Sequence, residues 1–178
     1  YWLHGPLNVH VLRRALVSVV ERHDVLRTTF EVGSDTGFMQ RTHGIPQGDA
    51  LLSELTAPSA EAAEKLGLAG ASKGFELEGE EGRVMRPTLI RVEAEQHLLL
   101  ITVHHVAFDG ASKAVLLREL GACYRSAMSS DPAVTPVPLL ELPAQYVDYA
   151  LWQRSAQLEA LTVRSCDYWR LQLREGVL

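Results

Sequence analysis

Apolar residues near the start of the chain recur at helical steps. In N-V-H-V-L-R-R-A-L-V-S-V-V-E-R, Val9, Leu12, Leu16 and Val19 follow one another at intervals of three, four and three. Val20 lies beside them, and Arg13, Arg14, Glu21 and Arg22 fall elsewhere. The spacing predicts a helix over 8–22 with one apolar stripe, and Asn8 is its expected N-cap after Gly5-Pro6. The next run, V-L-R-T-T-F-E-V, is rich in β-branched and aromatic residues and predicts a strand from Val25 to Val32. Gly33 and the turn residues that follow close it, with a hairpin partner expected at Phe38 to Thr42.

Residues 44–58 carry Gly44, Pro46, Gly48 and Pro58 and read as irregular. S-A-E-A-A-E-K-L-G-L-A-G predicts a short helix capped by Ser59. G-E-E-G-R-V-M-R-P reads as a loop feeding two strands, Thr88 to Val92 and Leu98 to His104, joined by a turn at Glu93 to Gln96. The second of these, with its run L-L-L-I-T-V, does not alternate polar with apolar. A strand apolar on both faces is covered on both faces, so it belongs inside a sheet sandwiched by helices. Leu116, Leu120, Cys123 and Ala127 restore a helical stripe over 111–128. The segment 129–144 holds four of the eight prolines and predicts an extended connector. Beyond it, Gln145 to about Glu175 is helical, with a break expected near Ser155 or Thr162. Helices interleaved with strands make the class α/β (α+β), with a mixed sheet.

Composition narrows the function. A chain of 178 residues, 47% hydrophobic and 22% charged, is the size and make-up of one soluble domain. With 17 basic against 22 acidic residues, and no basic stripe, nucleic acid is excluded as a partner. Two distant cysteines, Cys123 and Cys166, without C-x-x-C spacing, fit a reducing cytoplasmic setting. No apolar run approaches a membrane span.

The candidate chemistry lies in V-H-H-V-A-F-D-G-A-S, residues 103–112. Successive strand side chains point to opposite faces, so His104 and His105 cannot both face one cleft while strand geometry persists. That argues against a chelating pair, and no metal is expected. Two readings remain. In one, a histidine packs in the core and the other is incidentally exposed. In the other, His105 faces a cleft as a base at neutral pH, His104 turns inward as support, and Asp109 pins the loop or a ring tautomer. Gly110 then permits a backbone conformation or a close approach that a Cβ would block, and the following helix offers unpaired N–H groups to a developing oxyanion. The sequence shows no nucleophile-elbow serine or cysteine, so direct transfer is more economical than a covalent acyl-enzyme.

Read as H-H-x-x-x-D-G, this stretch resembles the signature of the condensation domains of nonribosomal peptide synthetases, which share the chloramphenicol acetyltransferase-like fold. R-H-D-V-L-R-T-T-F, residues 22–30, is similar to the family's R-H-x-x-L-R-T-x-F segment, and Y-V-D-Y-A-L-W-Q-R, residues 146–154, to its Y-x-D-Y-A-x-W-Q-R segment. The resemblance implies a mostly antiparallel mixed sheet covered by helices. It implies that His105 is the active-centre base or the positioner of the attacking amine, with His104 supporting it. Asp109 would be structural, in an ion pair with Arg22 first and Arg27 as the alternative, and Gly110 would place its backbone beside the reacting carbonyl.

The implied reaction is amide formation between a carrier-bound acyl or peptidyl thioester and a carrier-bound aminoacyl amine. Alternatives are an ester-forming acyltransferase of the same fold and a non-catalytic lobe that docks carrier proteins. No cofactor is expected to bind directly, since the substrates ride on the phosphopantetheine of donor and acceptor carrier proteins beside an adenylation domain. Residues 1–178 are expected to form the N-terminal, donor-side lobe, with 145–178 leading toward an absent C-terminal lobe. One departure bears on specificity: Ala111 stands where D-G-W-S would place a Trp, while Ser112 is kept.

Overall fold

The inner strand identified by its unbroken apolar run is β6 (Gln96–Val103) of the computed structural model. Residues 1–33, 37–46, 51–79, 84–128 and 139–175 are described. They fall into two compact units, Tyr1–Glu141 and Leu142–Leu178.

In the first unit the strands β1 (Trp2–His4), β4 (Ser53–Thr56), β5 (Met85–Glu93) and β6 (Gln96–Val103) form one sheet in the order β1-β6-β5-β4. β6 pairs antiparallel with both β1 and β5, and β4 joins β5 in parallel. The sheet is mixed and mostly antiparallel. A separate hairpin pairs β2 (Thr28–Gly33) with β3 (Gly37–Thr42). The helices are α1 (Val9–Arg22), α2 (Ala60–Ala71) and α3 (Gly110–Met128).

Alternation along β5 and β6 sends side chains to two cores. Leu89 opposite Leu99 faces α1 and α3, among Leu12, Leu16, Leu116 and Leu120. Ile90 opposite Leu98 faces the other way, onto Ala63 of α2. This double cover is why β6 lacks polar alternation. The cap Asn8 accepts from the Val11 N–H at 3.1 Å, and Ser59 from the Ala62 N–H at 3.2 Å.

Three sequence expectations change. The strand predicted from Val25 starts only at Thr28, because Asp24–Arg27 is a 3₁₀ turn in which the Thr28 hydroxyl donates to the Asp24 carbonyl at 2.8 Å. Residues 44–58, read as irregular, contain β4, whose exposed side chains carry no apolar alternation and whose existence rests on the ladder to β5. The strand predicted from Thr88 begins at Met85, where the loop reading had continued. Residues 129–138 of the predicted connector lie outside the described residues.

The second unit holds α4 (Tyr146–Gln153) and α5 (Ala156–Glu175), with the break at the Ser155 position. Asp148 accepts from the Gln145 N–H at 2.7 Å, fixing the start of α4. Tyr146, Tyr149 and Trp152 succeed one another along α4 with ring centroids 5.8 Å apart at each step.

α2 approaches the sheet through Gly67 and Gly70. A Cβ built on either would stand 3.6 Å from a methyl of Leu98 or Leu100, an ordinary contact, and neither glycine needs a left-handed backbone. Gly67→Ala and Gly70→Ala are therefore expected to stabilise the protein by about 0.5–1 kcal/mol each, through the helix-interior cost of glycine. Urea unfolding checks this.

Candidate active site

β6 ends at Val103, and the two histidines follow at once. The His104 N–H donates to the Val84 carbonyl at 2.7 Å, extending the sheet pairing by one bond. Its ring Nδ1 accepts from the Val106 N–H at 3.1 Å, which puts the proton of the neutral ring on Nε2. The ring meets Phe75 edge to face at 5.8 Å, and Arg86 lies over the same Phe75 ring at 4.1 Å. His104 is thus half-buried and held by both backbone and ring. His105 sits in the turn that follows, exposed, and makes no hydrogen bond to a described residue. Both of its ring nitrogens are uncommitted.

The turn closes through the Ala107 N–H on the His104 carbonyl at 3.1 Å, and Phe108 packs against the α1–α3 core. Asp109 then starts α3. Its Oδ1 accepts from the Ser112 N–H at 2.8 Å and from the Ser112 hydroxyl at 2.7 Å, while the Ser112 Oγ accepts from the Asp109 N–H at 3.3 Å. This is a reciprocal cap in which aspartate takes the N-cap place and serine the third helical position. The hydrogen bonds from Ser112, side chain first and backbone second, hold the Asp109 carboxyl below the usual carboxylate range, and the charge of nearby His105 adds to the effect.

Two expectations are corrected here. Asp109 does not form the expected ion pair with Arg22 or Arg27. Among the described residues no arginine pairs with it, because Arg22 lies with its Nε 3.2 Å from Glu119 and Arg27 is paired with Asp24 and the His43 carbonyl. The first turn of α3 is also not left open as expected, since Asp109 takes N–H groups there. Gly110 has no left-handed φ, and a Cβ on it would meet nothing within 4 Å. Of the two reasons offered for a glycine, the backbone-conformation one is removed. What remains is open space beside the main chain.

The buried carboxylate of the region is Glu119, at 3% exposure. Its Oε2 lies 2.6 Å from His23 Nε2 and 3.2 Å from Arg22 Nε, while Arg118 stands 3.8 Å from Oε1. The cluster ties the C-terminal end of α1 to the third turn of α3. Sequence reasoning passed over Glu119, although a signal was there: it falls at the step between Leu116 and Leu120 and Cys123, a charge on an apolar stripe. Such a residue is rarely buried unless paired.

Beside the loop, a pocket of about 330 Å³ opens between α1 and the start of α3, lined in part by Phe108, Ala111 and Val115. No group of three or more metal-ligating side chains occurs among the described residues, and no described helix is long and apolar enough to cross a membrane.

A mixed sheet covered by helices on both faces, with paired histidines at the end of its inner strand, is the architecture of the chloramphenicol acetyltransferase-like fold. The starter condensation domain of rhizomide synthetase superposes on it with a TM-score of 0.77, at 20% identity, over 99% of this chain and 41% of that one. The family model "Condensation domain" matches residues 2–177. The chain belongs to the condensation-domain family. It is 35% identical over 187 residues to the cyclosporin synthetase of Tolypocladium inflatum, covering 98% of this chain and 1% of that protein. It is 36% identical over 175 residues to the bassianolide nonribosomal cyclodepsipeptide synthetase of Beauveria bassiana, covering 97% of this chain and 5% of that protein. The chain thus spans a small fraction of the length of these relatives.

Glu119→Ala leaves Arg22 and His23 without their shared carboxylate and is expected to cost about 3–5 kcal/mol, with Glu119→Gln costing less. Equilibrium unfolding in urea measures both. The depressed Asp109 pKa makes its cap fully present above the ordinary aspartate range and lost as pH falls through the lower folded value. The Ser112 amide is expected to stay protected from hydrogen exchange until pH drops below that range, and to lose protection at all pH values in Asp109→Ala.

Proposed function

We propose that this chain is the donor-side, N-terminal lobe of a condensation domain that joins a carrier-bound acyl or peptidyl thioester to the amine of a carrier-bound amino acid. The observation that carries the reading is the state of His105: an exposed ring that makes no hydrogen bond to a described residue, on a turn fixed at either end, five residues ahead of the open flank of Gly110. In this reading the thioester carbonyl lies against Gly110. His105 orients the attacking amine and takes its proton, the C–N bond forms, and the C–S bond breaks. The leaving thiolate takes the proton held by His105 and departs as the free thiol of the donor phosphopantetheine, which restores the neutral histidine.

An α-amino group has a reference pKa near 8, so part of it is already neutral at physiological pH, and orientation contributes beside proton removal. His104 supports His105 by fixing the strand end, and Asp109 sets the helix that carries Gly110. The arginines of the early segment act through Glu119 and Asp24 rather than through Asp109. No cofactor binds directly, and the substrates arrive on two carrier domains beside an adenylation domain, in the cytoplasm. A C-terminal lobe completes the cleft, with residues 145–178 leading toward it.

A second reading has its own support. The Beauveria bassiana relative is named for a cyclodepsipeptide, a product class that contains esters as well as amides. With a hydroxyl as nucleophile, His105 must act as a true base, because the hydroxyl loses its proton as it attacks.

His105→Ala in the full-length protein that carries this chain is expected to lower condensation at least about 100-fold while leaving carrier binding unchanged. Intact turnover in this variant would remove His105 from both enzymatic readings, whereas carrier binding with no turnover even when a second lobe is added would leave a docking role. Rate against pH with paired amine and alcohol acceptors separates the first two, since only the amine acceptor is itself withdrawn by protonation as pH falls below its reference pKa of about 8.

A further inference from the structure

His104 shapes the histidine loop, and what holds the His104 ring in turn comes from outside the loop. Among the described residues the half-buried ring makes one hydrogen bond, the one its Nδ1 accepts from the Val106 N–H. Rotation of the ring about χ2 carries Nδ1 away from that amide, and a proton on Nδ1 removes the acceptor. Phe75 stands edge to face against the ring, at an interplanar angle of 84°, and so holds the ring plane from the side.

Phe75 is itself placed by Arg86. α2 ends at Ala71, and residues 72–79 follow it without helix or strand. Arg86, near the start of β5, reaches into this segment. Its Nη1 donates to the Gly74 carbonyl at 2.9 Å and its Nη2 to the Lys73 carbonyl at 2.6 Å, while its Cζ lies 4.1 Å from the centre of the Phe75 ring. A flat guanidinium can stack on a ring and give two nitrogens to successive carbonyls at once, whereas an ammonium has no plane to stack. On its other side the segment meets the hairpin, where the Leu77 carbonyl accepts from the Phe30 N–H of β2 at 2.8 Å. Two residues before Arg86, the Val84 carbonyl takes the His104 N–H. The start of β5 therefore fixes His104 twice, its main chain through Val84 and its ring through Arg86 and Phe75.

We infer that Phe75 and Arg86 are positioning residues for the reaction at His105. Arg86 fixes the Phe75 ring, Phe75 fixes the plane of the His104 ring, and His104 Nδ1 holds the N–H of Val106, the residue directly after His105. Neither residue touches a reacting atom, and both act through His104. The link to turnover rests on the proposed role of His105, whereas the link from Phe75 to the Val106 amide does not.

Hydrogen exchange and turnover, both measured on the full-length protein that carries this chain, test the two links. Phe75→Leu keeps the apolar bulk and removes the ring. It is expected to speed exchange of the Val106 amide at least about tenfold, read by mass spectrometry of the peptide that spans the loop, and to lower kcat at least about tenfold with KM within about twofold. Phe75→Tyr keeps the ring and is expected to stay within about twofold of the unchanged protein in both readouts. Arg86→Lys keeps the charge without the plane and is expected to follow Phe75→Leu. In a His104→Ala background, where the acceptor is already gone, Phe75→Leu is expected to change either readout by no more than about twofold. Urea unfolding checks the fold of each variant. Unchanged Val106 exchange in Phe75→Leu, an equal loss in Phe75→Tyr, or full multiplication of the Phe75→Leu and His104→Ala effects would each overturn the inference. Intact turnover in His105→Ala would instead overturn it through the role of His105, with the exchange effect of Phe75→Leu still present, so the two failures read differently.

Discussion

A strand covered on both faces has to be apolar where both covers lie, as in the run Leu98–Ile101. β6 imposes that constraint on the first unit. One of its faces requires α1 and α3, the other requires α2, and its two flanks require β1 and β5. The histidines follow Val103, the last residue of β6, which packs against the α1–α3 core. Their position at the edge of the core follows from the same hydrophobic pattern that builds the core.

The two carboxylates behind that edge have exchanged the roles that charge pairing alone would suggest. Asp109 is exposed, and an exposed ion pair with an arginine is worth little after screening and side-chain entropy. Its N-cap bonds to Ser112 are local and add the helix dipole, so the cap is the stronger use of that carboxylate. Glu119 is buried, where an uncompensated charge is costly, and it is there that Arg22 and His23 gather. The result separates two jobs. Asp109 fixes where α3 begins, and Glu119 fixes how α3 lies against α1.

Much of this was readable before any coordinates. The Asn8 and Ser59 caps, the inner strand, the hairpin and the break at Ser155 all rest on local rules of spacing and capping, and local rules survive folding. β4 was invisible because an exposed four-residue strand with no apolar alternation exists only through its partner. The 3₁₀ turn at Asp24–Arg27 was misread because β-branched content described Thr28 onward and was extended back over Val25. Of the site, the histidine motif was legible as a pattern. The identity of the buried carboxylate was not, because pairing across 96 residues between His23 and Glu119 depends on how two helices cross.

The loop between the strand and α3 is short and anchored at both ends. His104 is tied to Val84 and Val106, and Phe108 and Asp109 are tied to the core and to Ser112. Between these anchors lie His105, Val106 and Ala107, and the N–H groups of the last two are tied back to His104. A residue on such a segment has little backbone freedom left to lose, so its side chain is positioned at small entropic cost. The two histidines divide accordingly: the His104 ring is tied into the fold, and the His105 ring makes no hydrogen bond to a described residue.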